Sequence, residues 1–267
     1  MLGLPHHAHW GCLMSIDRRF FFKLAGLTAL AAEVPGAGAT PENSGKKGAG
    51  EAPKTTRWGI AIDLPLCHEH PDCRVCMEAC NKGHNVPSIP DSRHEVKWIW
   101  KEKFSHAFPG QTGRYLSSEL AEKPVMMLCN HCDAPACVGV CPTQATWKRE
   151  DGVVMMDWHR CIGCRYCIAA CPYGSRSFNW VDPRGYLKEQ NADFPTRSTG
   201  VVEKCNLCEE RLAENKPPLC VETCPYGAIH YGDLSKPDSP LRKLLDERFA
   251  IRRKPGLGTE PQVYYLV

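Results

Sequence analysis

The stretch that decides the fold is RCIGCRYCIAACPYGSRSF, residues 160–178, in which four cysteines follow the spacing C-x2-C-x2-C-x3-C-P. Three thiolates spaced three residues apart on a tight loop can each reach a different corner of one [4Fe–4S] cube, while the fourth points toward a second cube. The proline that follows donates no backbone hydrogen bond and turns the chain away. This stretch therefore predicts a [4Fe–4S] site that exchanges a ligand with a neighbouring site.

Sixteen of the 17 cysteines fall into four groups of this kind, and the seventeenth is Cys12. The groups, in chain order, are Cys67, Cys73, Cys76 and Cys80; Cys129, Cys132, Cys137 and Cys141; Cys161, Cys164, Cys167 and Cys171; and Cys205, Cys208, Cys220 and Cys224. The last three groups end in Cys-Pro, whereas Cys80 is followed by Asn81. Because four thiolates hold one cube, the sequence predicts four [4Fe–4S] clusters and a chain that moves single electrons.

Structural zinc and disulfides are the alternatives for so many cysteines. Zinc favours two separated C-x2-C pairs around a tetrahedral ion, which the second and fourth groups alone would permit. The crowded third group suits a cube instead, and the regular tandem spacing is not typical of a disulfide framework. Covalent haem requires C-x-x-C-H, and no C-x-x-C pair here is followed by histidine.

The first group is irregular, because five residues separate Cys67 from Cys73 and His70 stands where a regular first ligand would be. Histidine replaces cysteine on iron in Rieske centres. A thiolate suits a cubane better, and the intervening loop can bulge outward. Cys67 is therefore the predicted ligand, and His70 is the alternative.

The spacing between groups predicts how they pair. The second and third groups are close neighbours, and long segments, 81–128 and 172–204, separate them from the first and fourth. We expect the middle two groups to form one pair inside the pair formed by the outer two, with the fourth cysteine of each group crossing to its partner. The predicted ligand sets are Cys67, Cys73, Cys76 and Cys224 for cluster 1; Cys205, Cys208, Cys220 and Cys80 for cluster 2; Cys129, Cys132, Cys137 and Cys171 for cluster 3; and Cys161, Cys164, Cys167 and Cys141 for cluster 4.

The predicted fold class is α+β, with two nested ferredoxin-like units that each bind two clusters and carry long inserted loops. The outer unit comprises residues 58–128 and 179–267, and the inner unit comprises residues 129–178. Alternating apolar patterns at 58–66, 125–128 and 152–157 predict strands just before cysteine groups. Residues 148–152 predict a hairpin between two of the groups.

The N-terminal sequence predicts export. Residues 17–23, DRRFFFK, are typical of a twin-arginine signal, and an apolar stretch and an Ala-Gly-Ala site at 37–39 follow. Residues 1–39 are therefore a predicted signal peptide, and residues 40–57, rich in Gly, Pro, Lys and Thr, are a predicted flexible linker. The predicted location is therefore the periplasm. A chain exported unfolded would have its free thiols oxidised to disulfides there. The twin-arginine machinery avoids this because it exports folded proteins with their cofactors.

Charge and motifs exclude several function classes. Removing residues 1–39 leaves a net charge near +2, and four oxidised cubes would bring the total to about −6. Nucleic-acid binding is therefore not expected, and no apolar stretch after the signal is long enough to span a membrane. The sequence holds no nucleotide-binding Gly motif, no H-E-x-x-H and no nucleophile elbow, so we expect an electron carrier rather than an enzyme in its own right.

Residues 58–267 resemble the four-cluster iron–sulfur subunits that accompany molybdenum oxidoreductases and quinone-linked membrane subunits, such as those of dimethyl-sulfoxide, polysulfide and nitrite reductases. The residues that carry the resemblance are CNHCDAPACVGVCPTQATWKREDGVVMMD at 129–157, RCIGCRYCIAACPYGSRSF at 160–178 and KCNLCEERLAENKPPLCVETCPYGAI at 204–229. The resemblance implies the nested pairing described above.

Two further stretches, CHEHPDCRVCMEACNKGHNVP at 67–87 and RHEVKWIWKEKF at 93–104, resemble the periplasmic DsrO-type subunits of the DsrMKJOP complex of dissimilatory sulfur metabolism. That resemblance implies two partners, a polytopic quinone-reactive membrane subunit and a periplasmic multihaem cytochrome c. The chain would relay electrons between them with no active site of its own. The alternative is the iron–sulfur subunit of a molybdopterin oxidoreductase such as a polysulfide, tetrathionate or dimethyl-sulfoxide type reductase.

The segment Lys97-Trp98-Ile99-Trp100-Lys101 leaves two interpretations open. Two exposed tryptophans beside lysines would suit a partner surface. Two packed tryptophans would instead cover the outer cluster pair.

Overall fold

The computed structural model describes residues 55–267. The predicted signal peptide and the predicted linker up to residue 54 lie outside the described residues. The strands are β1 (Trp58–Asp63), β2 (Ile99–Lys103), β3 (Pro124–Leu128), β4 (Thr146–Lys148), β5 (Val154–Met156), β6 (Ser177–Phe178), β7 (Val202–Glu203), β8 (Ile229–Asp233), β9 (Ala250–Ile251) and β10 (Val263–Leu266). The helices are α1 (Leu64–His68), α2 (Val75–Gly83), α3 (Phe104–Ala107), α4 (Ser118–Glu122), α5 (Ala136–Gly139), α6 (Tyr166–Ala169), α7 (Glu209–Ala213), α8 (Leu219–Glu222) and α9 (Pro240–Glu247).

The described residues contain both short helices and short strands, and all strand pairs except that of β1 with β10 are antiparallel, which fits the predicted α+β class. Short 3₁₀ turns lie at Pro109–Gln111, Pro183–Tyr186 and Pro255–Leu257, each beginning at a proline, whose fixed φ suits a first helical position. Within residues 55–267, no helix is both long and apolar enough to cross a bilayer.

One four-stranded sheet joins the two ends of the described chain, in the order β8-β1-β10-β9. Strand β1 leads into the first cysteine group and runs antiparallel to β8, which leaves the fourth group; Ile62 lies opposite Ile229. On its other edge β1 runs parallel to β10, with Ile60 opposite Val263. This pairing places the first and fourth cysteine groups next to the same sheet although about 130 residues separate them along the chain.

Three antiparallel two-stranded sheets accompany it: β2 with β3, β4 with β5, and β6 with β7. The β4–β5 hairpin confirms the connection predicted at residues 148–152, and it joins the second and third cysteine groups. Gly152 in its turn has a φ of +83°. The positive φ favours glycine here, and a Cβ would in addition displace the Arg57 guanidinium, which lies 1.7 Å from its position.

The strand predicted over residues 58–66 is too long, because β1 ends at Asp63 and α1 begins at Leu64. The Asp63 carboxylate accepts the backbone N–H of Leu66 at 3.2 Å, as an N-cap does, and Pro65 stands in the first turn. The cap ends the strand where apolar alternation alone predicts that it continues. Residues 154–156 form the core of the strand predicted over 152–157.

Trp98 is buried in the main core, with 1% of its surface exposed. A docking surface at Trp98 is therefore excluded, and Trp100 is half-buried and packs against the same core. The Trp98 indole N–H donates to the Glu203 carboxylate at 2.9 Å, and Glu203 pairs with Arg197 at 2.6 Å, with both charged side chains wholly buried. The Trp98–Glu203 hydrogen bond joins β7 to the segment that precedes β2.

Candidate metal centres

The cysteine loops repeat one backbone conformation. In the second, third and fourth groups the residue just before the second cysteine is left-handed, with φ of +41° at His131, +70° at Gly163 and +61° at Leu207. A left-handed residue in such a loop turns successive backbone N–H groups toward one concavity, which is how many iron–sulfur sites hold an anionic cluster. These three loops therefore fit the group that the cysteine spacing predicts.

A second repeat follows the fourth cysteine of the same three groups. The residue three positions later is left-handed, with φ of +54° at Gln144, +66° at Gly174 and +63° at Gly227. Each donates its N–H to the carbonyl of the fourth cysteine of its group, at 3.2, 3.5 and 3.4 Å respectively. The first group differs, because α2 continues through its last two cysteines to Gly83. That difference occurs in the group whose fourth cysteine lacks a proline after it.

Cysteines from the two ends of the chain line one cavity. Its lining includes Cys67, Cys73, Cys76 and Cys224. His70 lines the same cavity, and its ring stacks on Tyr226 with 3.6 Å between ring centroids. The structure thus brings the fourth cysteine of the last group to the first group.

A second cavity combines cysteines of the two middle groups. Its lining includes Cys141, Cys161, Cys164 and Cys167. Cys141 belongs to the second group in sequence but lies with the third group in space.

For the remaining two predicted sets, the charges that shift the pKa of one thiol show which other cysteines lie near it. The pKa of Cys80 is raised well above its usual value, first by burial and then by the negative charges of the fourth-group cysteines. These are Cys205, Cys208 and Cys220. Burial likewise raises the pKa of Cys132 to about 12, and the cysteine charges that add to the effect are those of Cys129, Cys137 and Cys171.

Burial is the main cause of the raised thiol pKa values. It raises the pKa of Cys67 to about 12 and that of Cys76 to about 11, because a thiolate without water is costly. All sixteen cysteines of the described residues are free rather than paired in disulfides. Iron binds thiolates, so a bound cationic cluster core would displace these protons and supply the positive charge that buried thiolates need.

Two cysteine sulfurs of the fourth group accept hydrogen bonds from backbone N–H groups. The backbone N–H of Leu207 donates to Cys205 Sγ at 3.4 Å, and that of Leu219 donates to Cys208 Sγ at 3.3 Å. Such bonds stabilise negative charge on sulfur and are one of the determinants of cluster potential.

Two buried cations beside the cysteines were missed by sequence reasoning. Arg176 Nη2 donates to Cys137 Sγ at 3.0 Å. Burial acts to lower the pKa of Arg176, but the negative charges of Cys137 and Cys167 raise it overall. Burial lowers the pKa of Lys204, and the charge of Cys129 opposes that shift. The only sequence signal was that Lys204 directly precedes Cys205, a predicted ligand.

A carboxylate lies beside the fourth group instead. Ligand atoms of His84, Cys208 and Glu210 all lie within 4.8 Å of one another. His84 Nε2 and Glu210 Oε1 are 3.0 Å apart. Because Cys208 belongs to a predicted cluster, His84 and Glu210 are best described as neighbours of that site.

Comparisons with known proteins agree with this chemistry. Two models of the 4Fe-4S dicluster domain match the chain, over residues 124–184 and 160–229. The chain is 37% identical to the Hdr-like menaquinol oxidoreductase iron–sulfur subunit 1 of Archaeoglobus fulgidus, over 94% of this chain and 97% of that protein. The chain belongs to this family of iron–sulfur subunits.

Other oxidoreductase subunits are similar over most of their length. The chain is 37% identical to the menaquinone reductase iron–sulfur cluster-binding subunit of Nitratidesulfovibrio vulgaris, over 79% of this chain and 88% of that protein. It is 36% identical to a subunit of the tetrathionate reductase of Salmonella typhimurium, over 94% and 88% respectively. The family resemblance inferred from the cysteine motifs is therefore confirmed.

Replacing Gly163 with alanine tests the loop geometry of the third group. A Cβ there would meet the Gly200 carbonyl oxygen at 2.4 Å, and the φ of +70° disfavours alanine as well. We expect Gly163→Ala to lower the iron content of the purified protein by about four atoms per chain, the content of one cube. Iron and acid-labile sulfide analysis of anaerobically prepared protein measures this.

Gly139→Ala is the matched control, because Gly139 lies in α5 and a Cβ added there would point into open space. It should leave the iron content unchanged. Equal iron content in Gly163→Ala and the unsubstituted protein would contradict the proposed tight loop.

Proposed function

We propose that the chain is an electron-transfer subunit that holds four [4Fe–4S] clusters with the four ligand sets given above. The observation that carries the proposal is the convergence of three cysteines of one group with the fourth cysteine of another. The cavity lined by Cys67, Cys73, Cys76 and Cys224 is the clearest case. Each cube would accept and release one electron, and the chain's own residues position, shield and tune the cubes.

For the first cube we propose Cys67 rather than His70 as ligand. Cys67 lines the same cavity as Cys76 and Cys224, and the charges of those two cysteines add to the effect of burial in raising the pKa of its thiol. The His70 ring is engaged in stacking on Tyr226. A thiolate also suits a cubane iron better than an imidazole does.

The nested pairing is supported by strand pairing and by charge. Strands β1 and β8 join the outer groups, and the β4–β5 hairpin joins the inner ones. Charges also act between neighbouring sets. The charge of Cys76 adds to the raised pKa of Cys80, and the charge of Cys129 adds to that of Cys205. Cys137 acts on Cys167. We therefore propose that clusters 1, 2, 3 and 4 lie in a row in that order.

Serine replacements of Cys80 and Cys224 test the exchange of ligands between the outer groups. Because serine is a poorer iron ligand, each variant should lose or alter the cube to which its cysteine crosses. Cys224→Ser should perturb the cube of the first group, and Cys80→Ser the cube of the fourth group. EPR spectra of the reduced variants, compared with those of Cys67→Ser and Cys208→Ser as references, show which signal changes. If Cys224→Ser perturbed the cube of the fourth group, or Cys80→Ser that of the first group, the nested pairing would be refuted.

We propose that the electrons come from or go to the quinone pool through a polytopic membrane subunit, with a periplasmic multihaem cytochrome c as the other partner. The support is similarity to proteins named as a menaquinol oxidoreductase subunit and a menaquinone reductase subunit. The motifs at 67–87 and 93–104 favour a complex of dissimilatory sulfur metabolism. The twin-arginine pattern at 17–23 favours export of the loaded protein to the periplasm.

A second candidate is the iron–sulfur subunit of a molybdopterin oxidoreductase. The similarity to the tetrathionate reductase subunit, which extends over 94% of this chain, favours it. The two candidates differ in the protein that copurifies with the chain, a multihaem cytochrome c in the first case and a large molybdenum subunit in the second.

Reduction by quinol tests the electron-transfer function. In detergent-solubilised membranes that contain the native complex, a menaquinol analogue should reduce the cubes of this chain, as seen by EPR. The purified chain alone, which is the matched control, should stay oxidised because a membrane subunit must supply the quinol site. Cubes that remain oxidised in the intact complex would contradict the quinone link.

A further inference from the structure

Three cations are buried around one of the four cysteine sets. Arg176 and Arg253 are each 5% exposed, and Lys204 is 1% exposed. None of the three makes a salt bridge with a carboxylate within residues 55–267, although buried charges in proteins are normally paired. Their contacts show what takes the place of a carboxylate.

Arg176 contacts sulfur and a hydroxyl. Its Nη2 donates to Cys137 Sγ at 3.0 Å and to Thr146 Oγ1 at 2.9 Å, and its Nη1 faces Met156 Sδ at 3.7 Å. Cys137 is the contact that becomes anionic when it binds iron. A guanidinium is charged at every relevant pH, so this positive charge is permanent.

Lys204 lies on the side of the same set that faces the fourth group. Its Nζ donates to the backbone carbonyls of Val154 and Cys205, the latter at 2.7 Å. The cysteine whose charge acts on it most strongly is Cys129. Arg253 lies near a third part of this set. Burial lowers its pKa, and the charge of Cys171 is among those that oppose this shift. Its Nη1 donates to the Tyr173 carbonyl at 3.3 Å.

Another buried arginine of this protein shows the contrast. Arg197 is 2% exposed and pairs with Glu203 at 2.6 Å. Among the described residues Arg197 makes no hydrogen bond to a cysteine, and the fold places a carboxylate against it instead. Around Arg176 and Lys204 the thiolates, and the anionic cube that they hold, are the counter-charge.

The neighbouring sites have a different electrostatic environment. The site of the fourth group has the Glu210 carboxylate beside Cys208, and Glu210 acts on both Cys208 and Cys205 to raise their pKa values. Arg165 lines the cavity of the third group, but it is exposed to solvent, which screens its charge, and its guanidinium lies over the Trp180 ring, 4.8 Å from the centroid. Arg176 also acts on Cys167 of the third group, and Lys204 also acts on Cys205 of the fourth. Both cations, however, act on Cys129 and Cys137, and the hydrogen bond from Arg176 to sulfur goes to Cys137. The fixed positive charge is therefore greatest around the set Cys129, Cys132, Cys137 and Cys171.

We propose that Arg176 and Lys204 raise the reduction potential of the cube held by Cys129, Cys132, Cys137 and Cys171 above those of the cubes on either side. This inference rests on the proposed function. Reduction adds one electron, supplied by the adjoining cube, and no proton, so the charge of the cube with its thiolates changes from about −2 to about −3. The two cations stabilise the added charge, and the electron in transit resides longest at this site.

A stepwise redox titration tests the order of the reduction potentials. The loaded full-length chain is titrated with dithionite as reductant and followed by EPR. In the unsubstituted protein the cube of this set should be reduced before those of clusters 2 and 4. Cys132→Ser, which changes a ligand of this cube alone, identifies its signal. A later reduction of this cube than of either neighbour overturns the proposal even if no charge variant can be loaded.

Charge variants test the cause. Arg176→Met should lower the equilibrium constant for reduction of this cube at least tenfold, a shift of about 59 mV for one electron. Lys204→Met should shift it in the same direction, whereas Arg176→Lys keeps the charge and most of the potential. Lys216→Met removes a positive charge from a side chain that is 57% exposed, and should leave the potential unchanged.

The outcomes separate the two proposals. A loaded Arg176→Met protein whose potential equals that of Lys216→Met would overturn the role of the buried cations and leave the electron-transfer function intact. Absence of iron from the unsubstituted protein would instead contradict the proposed function.

Discussion

The proposed function depends on thiols that the fold has removed from water. Burial raises the pKa of Cys67 and Cys205 to about 12, so neither would be a thiolate at neutral pH without a cation beside it. Bound iron would supply that cation, and its bonds to sulfur would link distant parts of the chain. In a protein whose helices and strands are this short, these links would add to the apolar core that the described residues form.

The sheet and the cysteine loops solve two separate problems. Pairing of β1 with β8 brings the first and last cysteine groups together, which a local motif cannot do. In the second, third and fourth groups, left-handed residues before the second cysteine, such as Leu207, then orient backbone N–H groups within the loop. The topology decides which loops meet, and the loops decide what they can bind.

The local part of this arrangement could be predicted from the sequence. Cysteine spacing identified the four groups, and the turn at 148–152 identified the β4–β5 hairpin. The end of β1 at Asp63 was not predicted, because a single side-chain cap outweighed the apolar alternation. For Trp98 the sequence left packing and docking both open, since its partner Glu203 lies more than 100 residues away. Arg176 and Lys204 were missed for the same reason, as a cation's neighbours depend on tertiary packing.

Analysis of iron and acid-labile sulfide in the full chain, purified without oxygen, tests the central claim most directly. Sixteen cysteine ligands predict about sixteen iron and sixteen sulfide per chain, with the brown colour of iron–sulfur proteins. Zinc in place of iron, or a colourless protein without sulfide, would contradict the account.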